Sequence, residues 1–268
     1  MNTDFRPPLD VTALRTGLDG QSWRRIDLVE ETGSTNADLL ARAAAGEDIV
    51  GVALFAEYQS AGRGRHGRQW SAPIRSQIVV SVGVGADGVP ADRWGWLPLA
   101  TGLAIVDAVG ETTGTRVGLK WPNDVLVGAD GGKLAGILAE VASPAPVIVV
   151  GVGLNVTMTA EEAPDPRATS LSQIGAGTVD RTPLAGSLLR HLDARIAGWR
   201  GADRGLAEDY RSASVTIGSQ VRASLPGDQV VEGAAVDVDE LGRLIIDTAG
   251  GPVRVSAGDI THLRPLGS

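Results

Sequence analysis

Helical and strand periodicities alternate along this chain as far as about residue 212, and then the helical one stops. Before that point, residues 26–32, 52–59 and 77–84 read as strands, as do 117–121 with 125–127, 133–141 and 147–156. Residues 36–45, 94–109, 184–199 and 206–211 place apolar side chains at helical spacing, and Ser34 or Thr35 stands ready to cap the first of them. After it come four short strand-like stretches, 215–225, 230–238, 243–247 and 253–255, separated by turn signals at Pro226 and Gly227, at 240–242 and at Gly250 and Gly251. A sheet built from neighbouring strands with interspersed helices predicts an α+β unit with a mixed, largely antiparallel sheet and flanking helices over residues 1–212. The tight meander predicts a small β-barrel over 213–268.

Composition narrows the chemistry. With 24 basic and 32 acidic residues the net charge is −8, so the surface as a whole is not built for nucleic acid or an anionic membrane. No cysteine is present, which excludes disulfides, thiolate metal sites and a cysteine nucleophile together. The first ten residues carry Asp4, Arg6 and two prolines with no apolar stretch, unlike a secretory signal, and the apolar runs at 78–84 and 147–152 are far too short to span a bilayer. A cytoplasmic protein is expected. Only Lys120 and Lys133 among the 24 basic residues are lysines. A GC-rich genome accounts for arginine elsewhere; a pocket needing a compact point charge rather than a planar fork accounts for the two exceptions.

Residues 59–70 read QSAGRGRHGRQW. Gly62, Gly64 and Gly67 allow backbone N–H groups to approach a ligand, and Arg63, Arg65 and Arg68 add forked donors, a combination suited to a polyphosphate. A nucleic-acid contact or plain surface are the alternatives. So much like charge in one loop predicts that it is mobile until an anion binds. It is not a Walker A loop, and its match to GxGxxG opens no helix. Residues 120–124 read KWPND: Trp121 offers an aromatic wall, and Asn123 and Asp124 offer oxygens, either for a Mg²⁺ ion beside phosphates or for an Asx-turn. In KLAG at 133–136, alternation puts Lys133, Ala135 and Ile137 on one face. In GVGLN at 151–155, Gly151, Gly153 and Asn155 share a face, and glycine inside a strand signals close approach of something flat.

GSTN at 33–36, GRGRHGRQW, KWPND, KLAGIL and GVGLNV, in this order and spacing, resemble the biotin protein ligases (biotin–acetyl-CoA-carboxylase ligases) from about Gly33 to Asn155, and the terminal meander fits that family too. The resemblance implies a catalytic domain like those of class II synthetases followed by an SH3-like barrel. It also implies formation of biotinoyl-5′-adenylate from biotin and MgATP, and transfer to a lysine of a biotin carboxyl carrier domain of an acyl-CoA carboxylase. By the same resemblance, Ser34, Thr35, Asn36, Gln59, Gly62, Arg63, Lys133, Gly136, Gly151 and Gly153 would surround biotin. Arg65, Arg68, Trp70, Asn123, Asn155 and Lys133 would meet ATP, with Lys133, Arg63 and Arg65 as catalytic groups and Asp124 at the metal. Some relatives carry an N-terminal DNA-binding domain of about 60 residues, and the residues before Ile26 are too few for one. Lipoate–protein ligases and octanoyltransferases share this fold, and a nucleic-acid-binding regulator is the alternative of another class.

Overall fold

The computed structural model describes residues 6–128, 131–144, 146–177, 179–225, 227, 229–256 and 258–262. In chain order the elements are α1 (Val11–Gly17), β1 (Arg25–Thr32), α2 (Thr35–Ala44), β2 (Val52–Gln59), β3 (Gln77–Gly85), α3 (Trp96–Thr113), β4 (Gly118–Lys120), β5 (Asp124–Leu126), β6 (Lys133–Ala142), β7 (Val147–Asn155), α4 (Arg181–Arg200) and α5 (Gly205–Ala213). Then follow β8 (Gln220–Leu225), β9 (Gln229–Val238), β10 (Leu244–Thr248), β11 (Gly251–Val255) and β12 (Asp259–His262). The first seven strands form one sheet in the order β1-β2-β3-β7-β6-β5-β4. Among the described residues, β1 and β2 are the one pair of neighbouring strands in this sheet that run parallel, joined through α2; the other neighbours are antiparallel. The expected mixed, largely antiparallel sheet is the one found.

Strand alternation divides the residues of that sheet between two different environments. Phe55, Val80, Val82, Val150 and Val152 face α3 and α4, with Leu97, Leu103, Leu188 and Leu192 packed against them in the main core. Leu54, Val52 and Val149 face the other way, where Leu39 and Ala43 of α2 cover them. Helix α2 covers only part of this second face. The uncovered part, over β4 to β7 and β3, is the floor of a cleft of about 740 Å³.

Three differences from the sequence reading have local causes. Helix α3 runs past residue 109 to Thr113, because Gly114 at φ +67° takes the left-handed position that closes it, donating its N–H to Gly110 O at 2.9 Å. Helix α1, absent from the reading, has seven residues with a single buried side chain, Leu14, and Asp10 caps it. Residues 215–219 are turn rather than strand, with Ser214 Oγ accepting from the N–H groups of Thr216 and Ile217. The segment ahead of α1 is tied down by a buried ion pair: Arg181 Nη1 lies 2.8 Å from Glu57 Oε2, the side chains being 5% and 0% exposed. Glu57 also accepts from Leu9 N, and Arg181 donates to Pro7 O and Gln77 O. Removing one partner of such a pair leaves a buried charge and costs about 3–5 kcal/mol.

The last five strands form an antiparallel sheet in the order β11-β10-β9-β8-β12, wrapped around Val221, Ala223, Ala235, Leu244, Ile246 and Ile260. No pairing joins β11 to β12 among the described residues, so the expected barrel is an open one. Strand β12, absent from the reading, is four residues long and pairs with β8. Trp96 at the start of α3 and Trp121 just after β4 donate their indole N–H groups to Asp239 O and Gly242 O, tying the turn between β9 and β10 to the first unit.

Candidate functional site

The floor of the cleft is one row of cross-strand neighbours. Lys120 on β4 lies opposite Asp124 on β5, Asp124 opposite Gly136 on β6, Gly136 opposite Gly153 on β7, and Gly153 opposite Val79 on β3. Directly opposed residues project to the same face, so the row reads cation, carboxylate, two bare positions, valine. The bare positions are filled by the indole of Trp70. A Cβ on Gly153 would overlap the ring, and one on Gly136 would sit 3.1 Å from it. The flat object signalled by these glycines is therefore a side chain of the protein itself. Trp70 Nε1 donates to Gln77 Oε1 at 2.6 Å, fixing the ring in its plane.

Lys133 reaches this row by an irregularity. Val125 pairs with Ala135 but Leu126 pairs with Lys133, so Leu134 is an extra residue in β6. The resulting bulge turns Lys133 to the side of Gly136, and its Nζ lies 3.3 Å from where a Gly136 Cβ would be. Simple alternation, which groups Lys133 with Ala135 and Ile137, is corrected by this extra residue. Ala135 and Ile137 belong to the main core. The Lys133 ammonium sits 2.6 Å from Asp124 Oδ1 and 5.5 Å from the centre of the Trp70 ring. Its backbone is held by the loop after β7: Lys133 N donates to Arg167 O, and Thr169 N donates to Lys133 O. Asn155 braces that loop through Thr169 O at 2.9 Å. Burial lowers the Lys120 pKa, with Asp124 opposing and Arg167 and Lys133 adding to the effect.

At the other end the groups are neutral and buried. Ser34 caps α2 with its hydroxyl, leaving Thr35 and Asn36 at the helix start facing the cleft. Gln59 Oε1 accepts from Thr35 N at 2.8 Å, Thr35 Oγ1 lies 2.6 Å from Ser81 Oγ, and Ser81 donates to Asn36 Oδ1 at 2.6 Å. A Cβ on Gly151 would collide with Asn36 Oδ1, so this glycine makes room for the amide. Asn36 Nδ2 donates to Glu140 Oε2 at 2.9 Å and to Leu138 O at 3.2 Å.

The arginine loop arches over the cleft with a different partner for each arginine. Arg63 pairs with Glu140 Oε1 at 2.6 Å. Arg65 donates to Asn123 Oδ1 and to Gly258 O, and its burial lowers its pKa. Arg68 pairs with Asp259 of β12. Bonds from Gly64 N to Arg68 O and from Trp70 N to Gly62 O close the loop on itself. The expected mutual repulsion is thus offset by Glu140, Asp259 and backbone carbonyls. Asn123 is committed at both ends, since Nδ2 donates to Ile137 O at 2.9 Å. These bonds run to β6 and the arginine loop rather than back into its own turn.

Of the residues named from the sequence, Ser34, Thr35, Asn36, Gln59, Arg63, Arg65, Arg68, Trp70, Asn123, Asp124, Lys133, Gly136, Gly151, Gly153 and Asn155 all line this one cleft. Gly62 does not; it packs beneath the loop against the Trp70 carbonyl. The reading missed Ser81, Gln77, Glu140 and Asp259. Ser81 had a signal as the one hydroxyl inside an apolar strand, and Glu140 as the one acid inside β6; Asp259 had none. Among the described residues no group of three His, Cys, Asp or Glu gathers as a metal site, and no helix is long and apolar enough to cross a membrane.

Residues 34–155 match the Biotin/lipoate A/B protein ligase family and residues 216–263 match the Biotin protein ligase C terminal domain. The chain is 58% identical to a biotin–[acetyl-CoA-carboxylase] ligase of Mycobacterium tuberculosis, over 97% of this chain and 98% of that one. It is 32% identical to the bifunctional ligase/repressor BirA of Escherichia coli over 87% of this chain and 71% of the relative. Among solved structures, a biotin protein ligase from Aquifex aeolicus in complex with biotin and ATP superposes with a TM-score of 0.77 at 26% identity, covering 90% of this chain and 99% of the other. The motifs that converge on one cleft and the likeness that runs nearly end to end agree, and the chain belongs to the biotin protein ligase family.

Proposed function

We propose that the protein joins biotin to AMP at the expense of ATP and then passes biotin to a lysine of the biotin carboxyl carrier domain of an acyl-CoA carboxylase. The observation that carries this reading is the two-ended cleft: a buried neutral network suited to a cyclic urea at one end, and a bulge-presented ammonium suited to an acid and a phosphate at the other. In the first step a carboxylate oxygen of biotin attacks the α-phosphorus, the bond to the bridging oxygen breaks, and diphosphate leaves. Two anions must approach, so the protein's task is positioning and charge neutralisation.

Lys133 supplies the charge where the acid meets the α-phosphate, moving from Asp124 to the reacting oxygens. Arg65 and Arg68 close over the nucleotide, exchanging their present partners for phosphate oxygens, while Arg63 closes the loop over biotin. Trp70 forms the wall between the two substrates. Gln59, Thr35, Asn36 and Ser81 hold the ring, and Asn155 and Asn123 act through the segments that they brace. Magnesium, entering with the triphosphate, would neutralise the departing diphosphate; Asp124, which lines the cleft beside Lys133, suits an ion that keeps waters and phosphates as its other ligands. In the second step the uncharged amine of the carrier lysine attacks the acyl carbon, an amide forms, AMP leaves and the amine's proton goes to solvent. No nucleophile of the enzyme is needed. The same reading divides the chain into a catalytic unit, 1–212, and a terminal unit, 213–268, and places the enzyme in the cytoplasm with the carboxylase.

Exchange of labelled diphosphate into ATP tests the first step, and labelling of an isolated carrier domain tests the second. Biotin supports both on this reading. Exchange driven by lipoate and not by biotin overturns it.

A further inference from the structure

Glu140 lies outside the wall of the cleft, yet both of its oxygens are engaged by groups that serve it: Oε2 by Asn36 Nδ2 and Oε1 by Arg63. The direction of every bond in the neutral network follows from this. Glu140 and Leu138 O are both acceptors, so the end of Asn36 facing them is the amide nitrogen and the end facing the cleft floor is the oxygen. Ser81 then donates its proton to Asn36 Oδ1, which leaves Thr35 to donate to Ser81. The lone pairs of Asn36 Oδ1 and Thr35 Oγ1 remain as acceptors at the floor. A cyclic urea presents two N–H donors, and acceptors are what it requires. We propose that Glu140 is a positioning residue that sets the donor–acceptor polarity of the ring pocket, and so its preference for a urea. This rests on the biotin reading above.

A glutamine at 140 has the same shape but one oxygen, so it cannot accept from both Asn36 and Arg63. With Arg63 satisfied, its NH₂ faces Asn36, whose amide is then driven to turn over against the hold of Leu138 O. Ser81 would donate to Thr35, and Thr35 to Gln59 Oε1, 3.1 Å away. The cleft-facing end of Asn36 becomes a donor opposed to the donors of the ring.

The experiment is calorimetric binding of biotin to wild type, Glu140→Gln, Arg63→Gln and the double variant, with the KM for ATP measured alongside and a thermal midpoint to show that each is folded. Glu140→Gln weakens biotin binding about tenfold or more while the KM for ATP stays within about twofold, and adding Arg63→Gln, which frees the glutamine oxygen to accept from Asn36, restores part of that affinity. Binding unchanged in Glu140→Gln overturns the proposal. A double variant that binds biotin no more tightly than Glu140→Gln alone also overturns it, because Glu140 would then act only as a latch for the loop. If wild type binds no biotin, the ligase reading itself fails and this inference falls with it.

Discussion

The two ends of the cleft are built on opposite principles. At the Gln59–Asn36 end, Thr35, Asn36, Gln59 and Ser81 are neutral, buried and bonded to one another. At the Lys133 end the groups are charged and partly open to solvent: Lys133 is 34% exposed and Asp124 24%. A buried neutral network is costly to leave half-made, so it rejects ligands that do not complete it. A half-exposed ion pair contributes little to stability and its partners can be exchanged for a ligand's charges at small cost. One end is arranged to choose, the other to react.

Substitutions can break that contrast. The largest effect is expected from Lys133→Arg, which keeps the charge but replaces a compact ammonium with a planar fork in the gap between Trp70 and Asp124. Biotin transfer to the carrier domain should fall at least about tenfold, with biotin affinity nearly unchanged. A near-wild-type rate would show that charge alone, not its shape, matters there. Gly153→Ala attacks the floor shared by the two ends, because its methyl overlaps the Trp70 ring. It should destabilise the fold by about 1–3 kcal/mol in denaturant unfolding and lower kcat as the indole is displaced. Thr35→Val cuts the neutral network in its middle. The KM for biotin should rise about five- to tenfold with the KM for ATP unmoved; a rise in both would erase the distinction between the ends. The smallest effect is expected from Arg68→Ala. Arg68 is 67% exposed in its pair with Asp259, so unfolding free energy should change by less than about 1 kcal/mol, and the steady-state KM for ATP should carry most of the difference.

The strands and the main helices were legible because burial leaves a pattern in the sequence: β3 is apolar but for Gln77 and Ser81, and α4 carries leucines at helical spacing. The glycines, arginines and lysines of the cleft were legible because they stand out against such a background, whereas Ser34, Thr35, Asn36 and Gln59 were named for biotin only through the family resemblance. What was not legible depends on register or on distance. The face of Lys133 turns on the extra residue at Leu134, and nothing in the composition of KLAG announces a bulge. The partner of Arg68 lies on β12, 191 residues away, in a four-residue strand with no pattern of its own. Glu140 looks like an ordinary strand acid until Asn36 and Arg63 are seen to meet on it. Local physics writes the elements; the bonds between them are set by how those elements close.

The most direct test of the account is a rapid-quench measurement of biotinoyl-adenylate formation in a single turnover, with wild type and Lys133→Gln and with biotin and ATP both saturating. The account predicts a rate at least about a hundredfold lower in the variant, with the biotin dissociation constant changed only a few-fold. Adenylate appearing at the wild-type rate in Lys133→Gln would contradict it.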